Sequence, residues 1–96
     1  MRSVAIKGFR HKGLERFFAA GDGSGIQAKH AVRLRLILGR LNVATVPRDI
    51  DLPGLALHQL HGSRRGTLTV SISGNLRVTF RWNAKDVDNV NYEDCH

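Results

Sequence analysis

The sequence predicts an α+β domain, with one N-terminal strand and two helices packed on an antiparallel sheet of about four strands. Three observations predict it. Apolar residues between Gln27 and Ala44 recur every three to four positions, the period of a helix with one buried face. After Gly54 the period changes to two, the signature of strands with one buried face. The apolar runs are then separated by turn formers, Ser73-Gly74-Asn75 and Asn83-Ala84-Lys85-Asp86.

In chain order, Ser3 to Phe9 reads as the first strand. His11 to Ala20 reads as a short helix, because Leu14, Phe17 and Phe18 fall at helical spacing, and Gly21 is placed to end it in a left-handed conformation. Gly21-Asp22-Gly23-Ser24-Gly25 is glycine-rich, but it follows a helix and no Lys-Ser/Thr pair closes a phosphate-binding pattern. It reads as a flexible helix–helix connection, with Ser24 as a candidate N-cap. Gln27 to Ala44 is the long amphipathic helix, with Ala31, Leu34, Leu38 and Leu41 toward the core. Lys29, Arg33 and Arg40 fall within about 40° of one another on its other side, a basic stripe. The segment from Thr45 to Gly54 contains both prolines and reads as a connection with one helical turn near Pro47. The strands follow: Leu55 to Leu60, Thr67 to Ile72, Leu76 to Trp82, and about Val87 to Tyr92.

Ninety-six residues fit one domain, expected to span 1–96. Lys plus Arg number 15 against 8 Asp plus Glu, a net charge of +7. Such an excess concerns partners rather than fold, and it points to nucleic acid, the ribosome or an acidic protein. The single cysteine, Cys95, excludes an internal disulfide and fits a reducing compartment. No apolar run reaches the length of a membrane span, and the N-terminus lacks the apolar core of a signal peptide, so the expected location is the cytoplasm. Adjacent Cys95 and His96, with no second cysteine, make a poor zinc site. No metal and no cofactor are expected.

The strand alternation sorts the candidate chemistry. If Leu55 and Leu57 face the helices, His58 faces away; if Val78 and Phe80 do, Arg77 and Arg81 face away. Arg64 and Arg65, in the loop after His61, are expected to overhang that face. Tyr92-Glu93-Asp94-Cys95-His96 adds carboxylates, a thiol and an imidazole. Cleaving RNA without a metal needs a base for the 2′-hydroxyl, a cation for the charged phosphorane and an acid for the leaving 5′ oxygen. His58, Asp94, Cys95 and His96, with Arg77, Arg81, His61, Arg64 and Arg65 toward phosphate, are the candidates. His11 and His30, on helices beside other basic residues, read as surface residues, and Trp82 reads as core.

Several segments together resemble the HigB toxins, within the wider RelE group of bacterial mRNA-cleaving toxins. They are Ile6 to Leu14, Gly25-Ile26 followed by Ala31-Val32-Arg33-Leu34, and three motifs. Leu57-His58-Gln59-Leu60-His61-Gly62 resembles Leu-His-x-Leu-x-Gly, and Gly74 to Phe80 resembles a strand reading Asn-Trp-Arg-Ile-Thr-Phe. Residues 92–96 resemble a terminal Tyr-Glu-Asp-Tyr-His. The resemblance implies a compact RelE-like fold and a ribosome-dependent endoribonuclease that cuts mRNA in the A site and inhibits translation. It implies a HigA-like helix-turn-helix antitoxin, a hetero-oligomeric toxin–antitoxin complex and a monomeric free toxin. It carries proton transfer onto His58 and His96, in either assignment of acid and base, with Asp94 in support and Arg77 on phosphate. Three positions depart from the family pattern: Cys95 for tyrosine, His61 for lysine and Leu76 for tryptophan. The first two carry the alternative, a catalytically weakened module that only binds ribosome or antitoxin.

Overall fold

The computed structural model describes residues 6–60, 62, 65–74, 76–83 and 86–94, with Asn83 and Asp94 described by their backbone alone. Two α-helices, α1 (Lys12–Ala20) and α2 (Ala31–Val43), precede four strands: β1 (His58–Gln59), β2 (Thr67–Ser73), β3 (Leu76–Asn83) and β4 (Asp86–Asp94). The strands form one antiparallel sheet in the order β1-β2-β3-β4, the expected meander. The helices cover one face of it. Leu14, Phe17, Leu34, Ile37, Leu38 and Leu41 meet Val70, Ile72, Val78, Phe80, Val87 and Val90 in a single buried cluster. Among the described residues, no helix is long and apolar enough to cross a membrane.

The expected first strand is reduced to two isolated parallel bridges, Ile6 to Val87 and Phe9 to Val90, on the outer edge of β4. Ser3 to Ala5 lie outside the described residues. Between the bridges Gly8 lies against Asp88, whose Oδ1 stands 2.5 Å from where a Cβ on Gly8 would be, and the Gly8 carbonyl accepts from the Val90 N–H at 3.1 Å. His11 is the N-cap of α1 rather than its first residue; its Nδ1 accepts from the Leu14 N–H at 3.0 Å. Gly21 ends α1 in the left-handed region, with φ 74°, as expected. Two other glycines let α1 touch the following loop, since a Cβ on Gly13 would stand 2.7 Å from the Gly25 carbonyl oxygen.

The long second helix begins later than its apolar period suggests. Residues Ala28–His30 form a 3₁₀ turn, and the α-helix starts at Ala31. Ser24 caps nothing; its N–H is instead accepted by the Asp22 carboxylate at 3.0 Å. His30 is buried, correcting its reading as a surface residue, and shares a 2.6 Å hydrogen bond with the Tyr92 hydroxyl. The turn expected near Pro47 is present as a 3₁₀ turn over Pro47–Ile50, held by Asp49 Oδ2 accepting from the Thr45 and Val46 N–H groups. Those bonds lower the Asp49 pKa below the usual carboxylate range.

Arg33 leaves the expected basic stripe. Its Nε donates to the Ser71 carbonyl at 3.1 Å and its Nη2 to the Gly54 carbonyl at 2.5 Å. The guanidinium therefore ties α2 to β2 and to the connection before β1, and its planar fork suits two carbonyls at once. Arg33→Ala should cost roughly 1–3 kcal/mol of stability, the range for hydrogen bonds to a charged group. Arg33→Lys should recover little of it, because an ammonium cannot span both acceptors. Denaturant unfolding of both variants checks this; a lysine variant as stable as the wild type would show that the fork is not what matters.

Candidate active site on the sheet face opposite the helices

The backbone register builds this face in rows. His58 pairs with Thr69, Thr69 with Thr79, and Thr79 with Asn91, so one row crosses all four strands. Ser71, Arg77 and Glu93 form the row on one side of it, and Thr67, Arg81 and Asp88 the row on the other. Paired residues share a face, so His58, Arg77 and Arg81 share the face turned away from the helices, as the alternation predicts.

The local structure explains how each side chain reaches its place. The expected strand from Leu55 to Leu60 contracts to His58–Gln59, because Ala56 adopts φ 51°, a left-handed conformation that breaks an extended run. The segment still follows β2: the Ser71 N–H donates to the Leu55 carbonyl at 2.6 Å and the Leu60 N–H to the Thr67 carbonyl at 2.8 Å. Leu55 is buried while His58 is exposed at the sheet edge. In the middle of the row, Thr69 and Thr79 are almost fully buried. Arg77 lies over Thr69, its Nη1 donating to Thr69 Oγ1 at 3.4 Å. Thr79 Oγ1 donates to Glu93 Oε2 at 2.6 Å, and Asn91 Nδ2 donates to the same oxygen at 3.0 Å. The Glu93 carboxylate, from the neighbouring row, is thus fixed by two donors of the row that begins at the His58 imidazole.

Arg81 is exposed, and its guanidinium lies against the turn after Arg65, with Nη2 3.0 Å from where a Cβ on Gly66 would be. Arg65 is exposed on the same turn, whose N–H donates to the Gly62 carbonyl at 3.1 Å. Arg81 therefore flanks the row on the side away from Arg77, against the turn that carries Arg65. Of the expected site residues, the structure brings His58, Arg77 and Arg81 onto one face, with Arg65 beside Arg81. His61, Arg64, Cys95 and His96 lie outside the described residues. Asp94 is described by its backbone, which is registered against Leu76, a residue of the helix-facing row. The acidic residue in register with Arg77 is Glu93.

Sequence reasoning missed Glu93 as a member of this face, and the reason is a bulge. Arg81 pairs with Asp88, so an unbroken ladder would pair Arg77 with Tyr92. Instead Thr79 pairs with Asn91 and Arg77 with Glu93, because β4 carries one extra residue between these pairs. Asn89 there adopts φ 54°. Asparagine is among the few side chains that enter the left-handed region readily, and this was the one signal available in the sequence. The extra residue turns Tyr92 toward the helices, where its ring lies 5.5 Å from that of His11 and 6.1 Å from that of His30. Burial there raises the Tyr92 pKa above its ordinary value. Trp82 lies on the helix side, edge-on to Phe80 at 6.2 Å, as expected for a core residue.

A family model described as the RelE-like toxin of the type II toxin–antitoxin system HigB matches residues 7–96. The chain belongs to the HigB-like toxin family. It is also similar to Endoribonuclease HigB of Proteus vulgaris, with 35% identity over 91 residues that cover 95% of this chain and 99% of that protein. Two helices on a four-stranded antiparallel sheet agree with the RelE-like fold that membership implies. A type II toxin–antitoxin family also implies an antitoxin as partner.

The bulge and the half-buried phenol can each be tested. Asn89→Val should destabilise the fold by about 1–2 kcal/mol, the cost of a left-handed residue, whereas Asn89→Gly should stay close to wild type. Equal unfolding midpoints for all three proteins would show that the left-handed conformation is not required. Tyr92→Phe should be less stable than wild type below pH 10. The raised folded-state pKa makes the contribution of the neutral phenol fully present below the unfolded pKa and lost as pH rises through the folded one. The stability gap between the two proteins should therefore be constant through neutral pH and narrow in alkali. A gap that widens in alkali would contradict a desolvated, neutral phenol.

Proposed function

We propose that the chain, as a single domain over residues 1–96, is a ribosome-dependent endoribonuclease that cuts mRNA in the A site and so inhibits translation in the cytoplasm. A HigA-like helix-turn-helix antitoxin restrains it in a hetero-oligomeric complex, and the free toxin is a monomer. The family membership and the similarity to a protein named as an endoribonuclease support the activity. The observation that carries the reading for this chain is the polar row beginning at the exposed His58, flanked by Arg77 on one side and Arg81 on the other.

In this reading the chemistry is metal-free general acid–base cleavage. One of His58 and His96 takes the 2′-hydroxyl proton, and the freed oxygen attacks the adjacent phosphorus. The P–O5′ bond breaks, and the other histidine protonates the leaving 5′ oxygen. The products are a 2′,3′-cyclic phosphate and a 5′-hydroxyl. Arg77, held by Thr69, stabilises the charged phosphorane. Asp94 supports the terminal histidine, and Cys95 takes the position beside it that is tyrosine in the family. Arg81, Arg65, Arg64 and His61 hold flanking phosphates. The excess of basic residues suits a ribosomal substrate.

His58→Ala and His96→Ala should each slow cleavage on programmed ribosomes by about 10²–10⁴-fold, the usual worth of positioned proton transfer, with unchanged circular dichroism. Arg77→Ala should slow it while leaving codon position unchanged. Near-wild-type cutting by both folded histidine variants would end the two-histidine mechanism. A wild-type protein that binds ribosomes but cuts nothing would instead support the binding-only alternative.

A further inference from the structure

Helix α2 is apolar on two opposite sides. Its inner side, Leu34, Ile37, Leu38 and Leu41, is fully buried. Its outer side carries Val32, 77% exposed, Leu36, 51% exposed, and Val43, 58% exposed. With Gly39 these residues follow an i, i+4, i+7, i+11 spacing and lie within about 60° of one another on the helix. The ridge therefore runs the length of α2, directly opposite the core. A helix that packs only inward is polar on its outer side, and a continuous exposed apolar stripe marks an interaction surface.

The ridge borders a groove. Between α1 and α2 lies a cavity of about 300 Å³ lined by Phe17, Phe18, Gly21, Arg35, Leu38 and Gly39. At Gly39 a side chain would meet nothing within 4 Å, so the groove opens directly onto the ridge. Arg35 stands over the Phe17 ring at 5.4 Å, on one border of the ridge, and Lys29 and Arg40 stand on the other. The sequence from Gly23 to Arg48 contains no Asp or Glu. This surface is thus an apolar stripe and groove between two cationic margins.

That pattern selects among occupants. A second copy of the chain would bring two cationic margins together, and like charges facing across an interface are costly. Single-stranded RNA binds where cations are interleaved with aromatic platforms, whereas here aliphatic side chains separate the cations. An amphipathic helix, apolar along one side and bordered by carboxylates, matches both the stripe and its margins. Helix-in-groove recognition reads this i, i+3, i+4, i+7 pattern of anchors. We propose that the outer face of α2, with the α1–α2 groove, docks an acid-bordered amphipathic helix of the antitoxin. The docking rests on the toxin–antitoxin reading for the identity of its occupant, and it does not rest on nuclease activity.

The test uses the full chain and the antitoxin encoded beside it, with binding measured directly and cleavage measured separately on programmed ribosomes. Val32→Ser combined with Leu36→Ser should weaken antitoxin binding by at least about tenfold, as for loss of interface anchors. Both positions are solvent-exposed, so thermal unfolding and mRNA cleavage should stay close to wild type. Arg35→Glu combined with Arg40→Glu should also weaken binding and flatten its dependence on salt. Unchanged antitoxin affinity in the serine variant, or no binding by the wild type, would overturn the proposal. So would a wild-type dimer that the serine variant dissolves, which would assign the face to a second copy. Loss of cleavage with antitoxin binding intact would assign it to the ribosome and overturn it equally. A wild type that binds the antitoxin through this face but cuts no mRNA would leave the docking standing and refute the nuclease reading alone.

Discussion

The extra residue in β4 decides which chemistry each face of the sheet carries. Beyond it toward the C-terminus, every side chain lies on the face opposite to the one an unbroken ladder would give. Tyr92 goes to the helices and meets His30, and Glu93 goes to the row of Arg77, where Thr79 and Asn91 donate to its carboxylate. The same irregularity reaches across the other edge of β4. Gly8 lies against Asp88 there, and the N-terminal segment forms bridges at Ile6 and Phe9 rather than a continuous strand. The bulge at the left-handed Asn89 therefore sets the composition of the polar face and the turn of the Tyr92 ring toward the helices.

Much of the fold is legible in the sequence because it depends on period and punctuation. The meander follows from alternation between Thr67 and Tyr92, the end of α1 from Gly21, and the short turn after the second helix from Pro47. What is not legible depends on single dihedral angles and on distant partners. Ala56 carries no signal of its φ of 51°, yet it shortens the first sheet strand to two residues. Arg33 has the same helical position as a solvated arginine; only the approach of Ser71 and Gly54 shows that it is a tie. His30 likewise gives no sign of Tyr92, 62 residues further on.

The candidate site divides in the same way. His58, Arg77 and Arg81 follow from alternation alone, because the β2–β3 register is unbroken from the Thr67–Arg81 pair to the Ser71–Arg77 pair, its one irregularity falling after Ser71, and the β1–β2 register is unbroken over His58–Thr69 and Gln59–Leu68. Glu93 was missed because its parity is set by Asn89. Its carboxylate, bound by Thr79 and Asn91, stands in the row of Arg77. A negative group fixed beside the Arg77 guanidinium limits how far that cation attracts anions in general.

Net charge by itself does not separate the two cationic regions of this molecule. On the sheet face, Arg77 and Arg81 flank a row of threonine hydroxyls that begins at the exposed His58 imidazole. On the outer side of α2, Lys29, Arg35 and Arg40 surround aliphatic side chains. A phosphate chain gains from the first arrangement and loses from the second, since its own hydration would be stripped against Val32 and Leu36 with no hydrogen bond in return. An apolar helix bordered by carboxylates has the opposite preference. The difference between the two faces is therefore in what lies between the cations: hydroxyls and an imidazole on one, aliphatic side chains on the other.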